Sequence, residues 1–289
     1  MTDTSKTTAD QLVTDANKAF YALTAAEYDK MGRGMVVEVA KTNAANILAR
    51  VPGIDASSTE LMDFAAGTGL LATFVAPPCK SVTAVDQSEA MIDQLRQKLD
   101  AQQDVANLIS NIVPVITDIL VDGESELTGR QYDVITCTNS YHHLSDPARV
   151  TQVLASYLRP GGHLAVVDLI KTEDSAEFHT GPRTVEQHDG SHKQVDDFGA
   201  KTNEHSHAHG HGGHHHGHGH GHGHGHGHGH NHSHNHEHVI AHRGGFTQAE
   251  METFFSGAGL RLVDMGKSAQ FVKDGKSYDN FLAIARKPL

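Results

Sequence analysis

The stretch Leu61-Met-Asp-Phe-Ala-Ala-Gly-Thr-Gly-Leu-Leu-Ala72 decides the fold of this chain. Its first part, Leu61 to Phe64, is mostly apolar, as expected for a strand that is covered on both faces. Gly67 and Gly69 follow, and they allow a sharp turn and the close approach of a ligand because they lack a Cβ atom. A helix after the turn would present unpaired N–H groups to that ligand. The stretch therefore predicts a strand, a ligand-binding turn and a helix at the carboxyl edge of an open α/β sheet.

Strands and helices alternate through the rest of the chain. Further β-rich runs lie at 81–86, 112–117, 131–137 and 163–169, and helical patterns lie at 88–99 and 146–158. This spacing predicts a doubly wound, mostly parallel, Rossmann-like α/β sheet. After a capping-box helix that begins at Thr247, runs at 260–265, 269–272 and 280–285 predict strands that close the chain by antiparallel pairing.

The first fifty residues predict a disordered N-terminus, residues 1–14, followed by a helical cap. Gly32 and Gly34 break the helical pattern in two. Near the break stand Tyr21, Tyr28 and Met31, which either line the mouth of a substrate pocket or pack the cap onto the sheet.

Composition narrows the class of protein. The formal net charge of −12 over 289 residues argues against a nucleic-acid partner, which requires a basic surface. The two cysteines, Cys79 and Cys137, are too few for a disulfide framework and fit a reducing compartment. The first residues lack the apolar core of a signal peptide, and no apolar run of about 18 residues predicts a membrane span. We therefore expect a protein of the cytoplasm or the nucleus, acting away from membranes.

Two ligand classes fit the glycine turn. Gly67-x-Gly69-x-x-Ala72 satisfies the dinucleotide pattern of a nicotinamide enzyme, and Asp86 at the end of the second strand can hold a ribose diol of either NAD or S-adenosylmethionine. Three features favour S-adenosylmethionine. Asp63 lies where a carboxylate can attract an ammonium group, Asp118 can accept the adenine amino group, and a long helical segment precedes the turn.

In their order along the chain, several stretches together resemble a class I S-adenosylmethionine-dependent methyltransferase of the small-molecule type. They are Asp63-Phe-Ala-Ala-Gly-Thr-Gly69, Val85-Asp-Gln-Ser-Glu-Ala-Met91, Asp118, Tyr132-Asp-Val-Ile-Thr-Cys-Thr-Asn-Ser-Tyr-His-His143, Leu158-Arg-Pro-Gly-Gly162, Gly245-Phe-Thr-Gln-Ala-Glu-Met251 and Ala258-Gly-Leu260. The resemblance covers about residues 15–170 and 238–288 and implies a seven-stranded sheet with an antiparallel final hairpin. It departs from the family at Ala65, where glycine is frequent.

The resemblance also implies a donor site and candidate bases. The expected donor contacts are Asp63, Ala65, Gly67, Thr68, Gly69, Asp86, Gln87, Met91, Asp118, Ile119 and Asn139. The candidate bases are His142, His143, His179 and His242. For the pair His142–His143 a packing role is the alternative, whereas His179 and His242 are expected to face the acceptor from the two ends of an insertion. The acceptor is expected to be a small molecule, and its nucleophilic atom is left open.

That insertion is rich in histidine and glycine. Residues 180–238 are expected to form a disordered loop that interrupts a single domain spanning residues 15–289, and 18 of the 25 histidines of the chain stand between His205 and His238. Imidazoles in such number bind Zn²⁺, Ni²⁺ or Cu²⁺ without a defined coordination geometry. The tract is therefore either a low-complexity loop with incidental metal affinity or a metal-binding element on a methyltransferase-like scaffold.

Overall fold

Strand β1, Glu60–Phe64, occupies the centre of the sheet and ends at the glycine turn. The structure, a computed structural model, describes residues 4–102, 108–120, 126–179, 182–186, 192–196 and 240–289. The remaining strands of the main sheet are β2 Ser81–Asp86, β3 Ile112–Ile116, β4 Tyr132–Thr138, β5 Leu158–Leu169, β8 Arg261–Lys273 and β9 Lys276–Arg286. A separate hairpin is formed by β6 Pro182–Glu186 and β7 His192–Asp196.

The helices flank this sheet. They are α1 Thr4–Thr24, α2 Met35–Arg50, α3 Leu70–Val75, α4 Glu89–Asp100, α5 Pro147–Ser156 and α6 Gln248–Gly257. Short 3₁₀ segments lie at Ala25–Gly34, Tyr141–His143 and Ser175–His179.

Within the described residues, the main sheet has seven strands in the order β3-β2-β1-β4-β5-β9-β8. The strands from β3 to β5 in that order are parallel, whereas β9 pairs antiparallel with both β5 and β8. The strand order reverses between β1 and β4, and this switch point is where ligands bind in open α/β sheets. The predicted fold class, with its antiparallel C-terminal hairpin and N-terminal helical cap, is confirmed.

Successive side chains of β1 enter opposite cores, because the side chains of a strand alternate between its faces. Leu61 packs in the core under α2, α3 and α4, which includes Ile47, Leu71 and Ile92. Met62 and Phe64 pack in the core under α5 and α6, which includes Leu154 and Phe255. Double coverage explains why the strand shows an almost continuous apolar run.

Three expectations drawn from the sequence differ from the structure. The first helix begins at Thr4, before the helical pattern that the sequence showed from residue 15. The runs at 260–265 and 269–272 belong to one strand, β8, whose register shifts between Lys267 and Gln270.

The third difference is the hairpin of β6 and β7, which lies in a stretch where no strand was expected. Its strands are short and largely polar, which conceals them, although an Asp189-Gly190 pair between them is a hairpin signal. The histidine-rich tract itself, 205–238, lies outside the described residues.

The N-terminus of α6 supplies a test of local stability. The hydroxyl of Thr247 accepts from the Glu250 N–H at 3.2 Å, and the Glu250 carboxylate accepts from the Thr247 N–H at 2.8 Å. We expect Thr247→Ala to lower the free energy of unfolding by about 1 kcal/mol, because the Glu250 N–H at the start of the helix loses the hydroxyl that accepts its hydrogen bond. Urea denaturation measures the change. Thr253→Ala, within the same helix, is the control, and an equal loss in both variants would contradict a capping role.

Candidate functional site

A cavity opens at the carboxyl ends of the central strands. One wall follows the strands and includes Gly67, Asp86, Asp118, Asn139 and His143. The facing wall comes from the N-terminal helices and includes Asn17, Lys18, Tyr21, Tyr28 and Val36. Tyr21 and Tyr28 therefore line a pocket, which is the first of the two alternatives that the sequence left open for them.

Asp86 fixes the shape of the glycine turn. Its Oδ2 accepts from the Gly67 N–H at 2.8 Å, and its Oδ1 accepts from the Ser88 N–H at 2.8 Å. Burial raises the pKa of the Asp86 carboxyl, while these backbone N–H groups act in the opposite direction. Because a carboxylate can accept about four hydrogen bonds, each oxygen retains acceptor capacity toward a ligand hydroxyl.

The two glycines of the turn serve different purposes. Both have left-handed backbones, with φ of 56° at Gly67 and 77° at Gly69. A Cβ at Gly69 would lie 2.4 Å from Cδ1 of Leu95, so this glycine is required by packing against α4. A Cβ at Gly67 would meet no described atom within 4 Å and would stand at the cavity wall. Only Gly67 thus leaves room for a ligand.

Two residues without glycine's freedom are also left-handed at the cavity. Ala65 has φ of 55° and Asn139 has φ of 53°. The Asn139 N–H donates to the Val167 carbonyl at 2.8 Å, and its side-chain Oδ1 accepts from the amide of Asn280. Backbone strain of this kind is held only where surrounding contacts impose it, and it concentrates at ligand-binding positions.

Asp63 lies inside β1, behind the turn. Its side chain is buried, and Oδ1 accepts from Thr136 Oγ1 at 2.8 Å. Among the described groups, Oδ2 has no hydrogen-bond partner. Burial, together with the neighbouring carboxylate of Asp86, raises the pKa of Asp63 to about 7.

The four candidate histidines form one cluster. The ring of His142 lies with its centroid 4.2 Å from that of His143 and 4.7 Å from that of His179. The backbone N–H of His242 donates to the His142 carbonyl at 2.9 Å. The sequence separates these residues by up to a hundred positions, yet the fold brings them together.

Within the cluster, His143 reaches the cavity and His142 is anchored behind it. His143 Nε2 lies 2.9 Å from the hydroxyl of Tyr21 on α1. His142 Nδ1 lies 2.9 Å from Oδ1 of Asp168, which also accepts the backbone N–H of His142 through Oδ2 at 3.1 Å.

Burial alone would raise the pKa of Asp168, but the charge and hydrogen bonds of His142 hold that pKa below its usual range. Burial lowers the pKa of His242.

The central part of the chain is similar to known proteins. A family model described as a methyltransferase domain matches residues 62–164. Residues 62–164 carry a methyltransferase domain. The matched segment runs from the first strand through the fourth into the fifth, so it contains the glycine turn and the cavity residues from Phe64 to Val150.

Relatives of the methyltransferase domain share its central part. An uncharacterized methyltransferase of Schizosaccharomyces pombe is 32% identical over 123 residues, which are 43% of this chain and 42% of that protein. A ubiquinone biosynthesis O-methyltransferase of Acinetobacter baylyi is 29% identical over 105 residues, which are 36% of this chain and 41% of that protein. The match thus spans about two fifths of the length of these curated relatives.

A solved structure extends the similarity to the complete fold. An S-adenosylmethionine-dependent methyltransferase from Clostridium acetobutylicum aligns with a TM-score of 0.55 at 14% identity, covering 93% of this chain and 99% of that one. At this identity the likeness concerns the fold alone.

Most of the donor contacts expected from the sequence lie in the cavity wall of the methyltransferase domain. They are Ala65, Gly67, Thr68, Asp86, Gln87, Met91, Asp118, Ile119 and Asn139. Two expected donor contacts, Asp63 and Gly69, do not line the cavity within the described residues. The candidate bases His142, His179 and His242 do not line it either. Among the residues that sequence reasoning missed are Asn17 and Lys18 of α1 and Phe271 of β8, since their place depends on tertiary packing that no local pattern encodes.

Clusters of metal-ligating side chains and membrane-spanning helices are both absent from the described ranges. No group of three or more His, Cys, Asp or Glu side chains there has an arrangement suited to a metal ion. The tract of His205–His238, for which metal affinity was predicted, falls outside those ranges. The helices that the structure describes include none with the length and apolar character needed to cross a bilayer.

The buried carboxyl of Asp63 gives a pH-dependent prediction. Because its pKa in the folded chain is about 7, against 3.8 as the ordinary value, its contribution to stability is present below pH 4 and is lost as the pH rises to 7. We expect Asp63→Asn to stabilise the ligand-free protein at pH 8 by roughly 2–4 kcal/mol, with the gain shrinking toward pH 4. Urea denaturation across this range measures it. Asp93→Asn, at a half-exposed position in α4, is the control. If the free energy of unfolding gained by Asp63→Asn did not vary with pH, Asp63 would be ionised throughout this range.

Proposed function

We propose that this chain transfers a methyl group from S-adenosylmethionine to a small-molecule acceptor. The observation that carries the proposal is the cavity at the switch point, where the turn of Gly67, the carboxylate of Asp86 and the acid Asp118 line one wall. The domain match and the fold of the solved relatives support the same reaction class. We disfavour a dinucleotide because Asp118 lines the wall where it can accept an adenine amino group, and because the buried Asp63 carboxyl lies behind the turn, where it can attract an ammonium group.

The donor fits the residues of the strand-side wall. In our proposal Asp86 accepts the two ribose hydroxyls, Gln87 and Met91 flank the adenosine, and Asp118 with Ile119 meets the adenine. Gly67 offers the open cradle that a Cβ would fill, and Ala65, Thr68 and Asn139 border the methionine end. Asp63 acts from behind the turn as a buried carboxyl whose unpartnered Oδ2 can respond to the positive charge of the donor.

When bound, S-adenosylmethionine supplies an electrophilic methyl carbon on its sulfonium. The protein's task is to align an acceptor with that carbon and to keep water away. The N-terminal helices close the cavity from the side opposite the strands, and Tyr21 and Tyr28 meet there edge to face with their ring centroids 6.2 Å apart. Aromatic walls of this kind suit a planar acceptor.

We propose further that the acceptor presents a hydroxyl and that His143 takes its proton. His143 lines the cavity, its Nε2 shares a hydrogen bond with Tyr21, and His142 and Asp168 fix it from behind. The relative from Acinetobacter baylyi is named as an O-methyltransferase, which agrees with an oxygen acceptor. His142, His179 and His242 take a supporting role in this proposal, because they lie outside the cavity wall formed by described residues.

The insertion fits the proposed single domain of residues 15–289. Its two flanks meet beside His142, since the ring of His179 packs on that histidine and the N–H of His242 donates to its carbonyl. The hydroxyl of Ser175 also donates to the Gly244 carbonyl at 2.8 Å. We propose that residues 180–238 leave and re-enter the domain at this one place.

Donor binding has a matched pair of variants. Gly67→Ala and Gly53→Ala both place a Cβ at a left-handed position with no described atom within 4 Å, and both should cost about 1 kcal/mol of stability. Only Gly67 stands in the cavity wall. We expect calorimetry to show S-adenosylmethionine binding to the wild type and to Gly53→Ala, and at least tenfold weaker binding to Gly67→Ala because the Cβ occupies the cradle. Binding of NAD with no binding of S-adenosylmethionine would reject the proposal.

The role of His143 is tested by turnover. With a donor labelled in its methyl group, fractions of a metabolite extract reveal an accepting compound through transfer of the label. For that compound we expect His143→Gln to lower kcat by a factor of about 10²–10⁴, the usual contribution of a general base, with an unchanged dissociation constant for the donor. Tyr21→Phe should lower kcat less, and Tyr157→Phe, outside the cavity wall, should leave it unchanged. Full activity of His143→Gln would exclude this residue as the base.

A further inference from the structure

The segment Ala25–Gly34, which we call the mouth segment, joins α1 to α2 at the edge of the cavity. It bends sharply at its end, because Gly32, Arg33 and Gly34 have positive φ angles of 58°, 58° and 87°. Of its residues only Ala25 is buried. A segment with so little apolar burial has low local stability, so its position depends on a few specific contacts.

Asp29 ties the mouth segment to the glycine turn. Its Oδ1 accepts from Thr68 Oγ1 at 2.6 Å, and its Oδ2 lies 2.5 Å from Nζ of Lys98 on α4. Lys98 Nζ also donates to the Thr68 carbonyl oxygen at 2.7 Å. The three residues therefore form a closed triangle in which Thr68 is held by its side chain and by its backbone.

Thr68 is the residue between the two glycines, and it is buried. On one side of it the N–H of Gly67 is held by Asp86, and on the other side the triangle with Asp29 and Lys98 holds Thr68 itself. Thr68 and Tyr28 both line the cavity, whereas Asp29 and Lys98 do not stand in the wall formed by described residues. Any effect of Asp29 on the donor must therefore pass through Thr68 or through the mouth segment.

We propose that Asp29 is a positioning residue that fastens the mouth segment to the donor-binding turn. This inference rests on the proposed function, because it concerns the same turn. Binding of the donor steadies the turn, the steadied Thr68 keeps its bond to Asp29, and the mouth segment then stays over the cavity. Escape of the donor requires that the bond open, so Asp29 governs the dissociation rate more than the association rate.

The geometry predicts that this effect is separable from stability. The side chains of Lys98 and Asp29 are 31% and 32% exposed, and ion pairs near the surface contribute little to the stability of a fold. A hydrogen bond to a charged group that orders a binding turn is expected to change affinity by about fivefold to tenfold. The melting temperature should therefore move little while the affinity for the donor falls.

The experiment compares Asp29→Ala with Glu27→Ala. Asp29→Ala removes the acceptor of the Thr68 hydroxyl together with the partner of Lys98, whereas an asparagine would keep an oxygen able to accept from Thr68. Glu27 lies in the same mouth segment and pairs with Lys30 at 3.0 Å, so the control removes an equivalent charge that does not reach the turn. Calorimetry measures the dissociation constant for S-adenosylmethionine, surface plasmon resonance measures its rates, and hydrogen–deuterium exchange follows residues 25–34 with and without the donor.

In the wild type we expect S-adenosylmethionine to slow exchange of the mouth segment. Asp29→Ala should bind the donor about fivefold to tenfold more weakly through faster dissociation, and the donor should no longer slow that exchange. Glu27→Ala should match the wild type. If the wild type binds the donor and Asp29→Ala equals it in affinity and in exchange, the inference is wrong. If the wild type itself does not bind the donor, the proposed function fails first.

Discussion

The carboxylate of Asp86 is the constraint on which the donor side of this protein depends. It stands at the end of β2 and binds two backbone N–H groups at once, from Gly67 in the first turn and from Ser88 at the start of α4. It thereby joins two neighbouring strand-to-helix connections into one rigid rim. The cost is that two acids lie buried near each other: burial, and after it the neighbouring Asp86 carboxylate, raises the pKa of Asp63.

The sequence predicted the parts of this site that are local in the chain. Asp86 and Asp118 stand where strands end, and parallel strands bring their carboxyl ends to one edge, so pattern alone grouped these two acids. Gln87 and Met91 were expected there only because of the family resemblance. The fold class followed from the same alternation. Gly69 shows the limit of that reasoning, since the sequence cannot tell a glycine needed by a ligand from one needed by Leu95.

What the sequence could not predict depends on long-range packing. The contact between Tyr21 and His143 joins residues 122 positions apart, and the triangle of Asp29, Thr68 and Lys98 joins three separate elements. Neither leaves a periodic or spaced signal. Likewise the strands β6 and β7 escaped a search for apolar alternation, because their sequences are largely polar.

The meeting of His179 and His242 beside His142 has a consequence for the history of the chain. The entropy of closing a loop between two fixed points rises only with the logarithm of its length, so each doubling costs about 0.6 kcal/mol. Repeats of glycine and histidine inserted at this place would barely be felt by the folded domain, and selection on stability would neither remove nor limit them. The fold thus contains a place at which a low-complexity tract can lengthen or shorten at little cost in stability, while the turn held by Asp86 stays as it is.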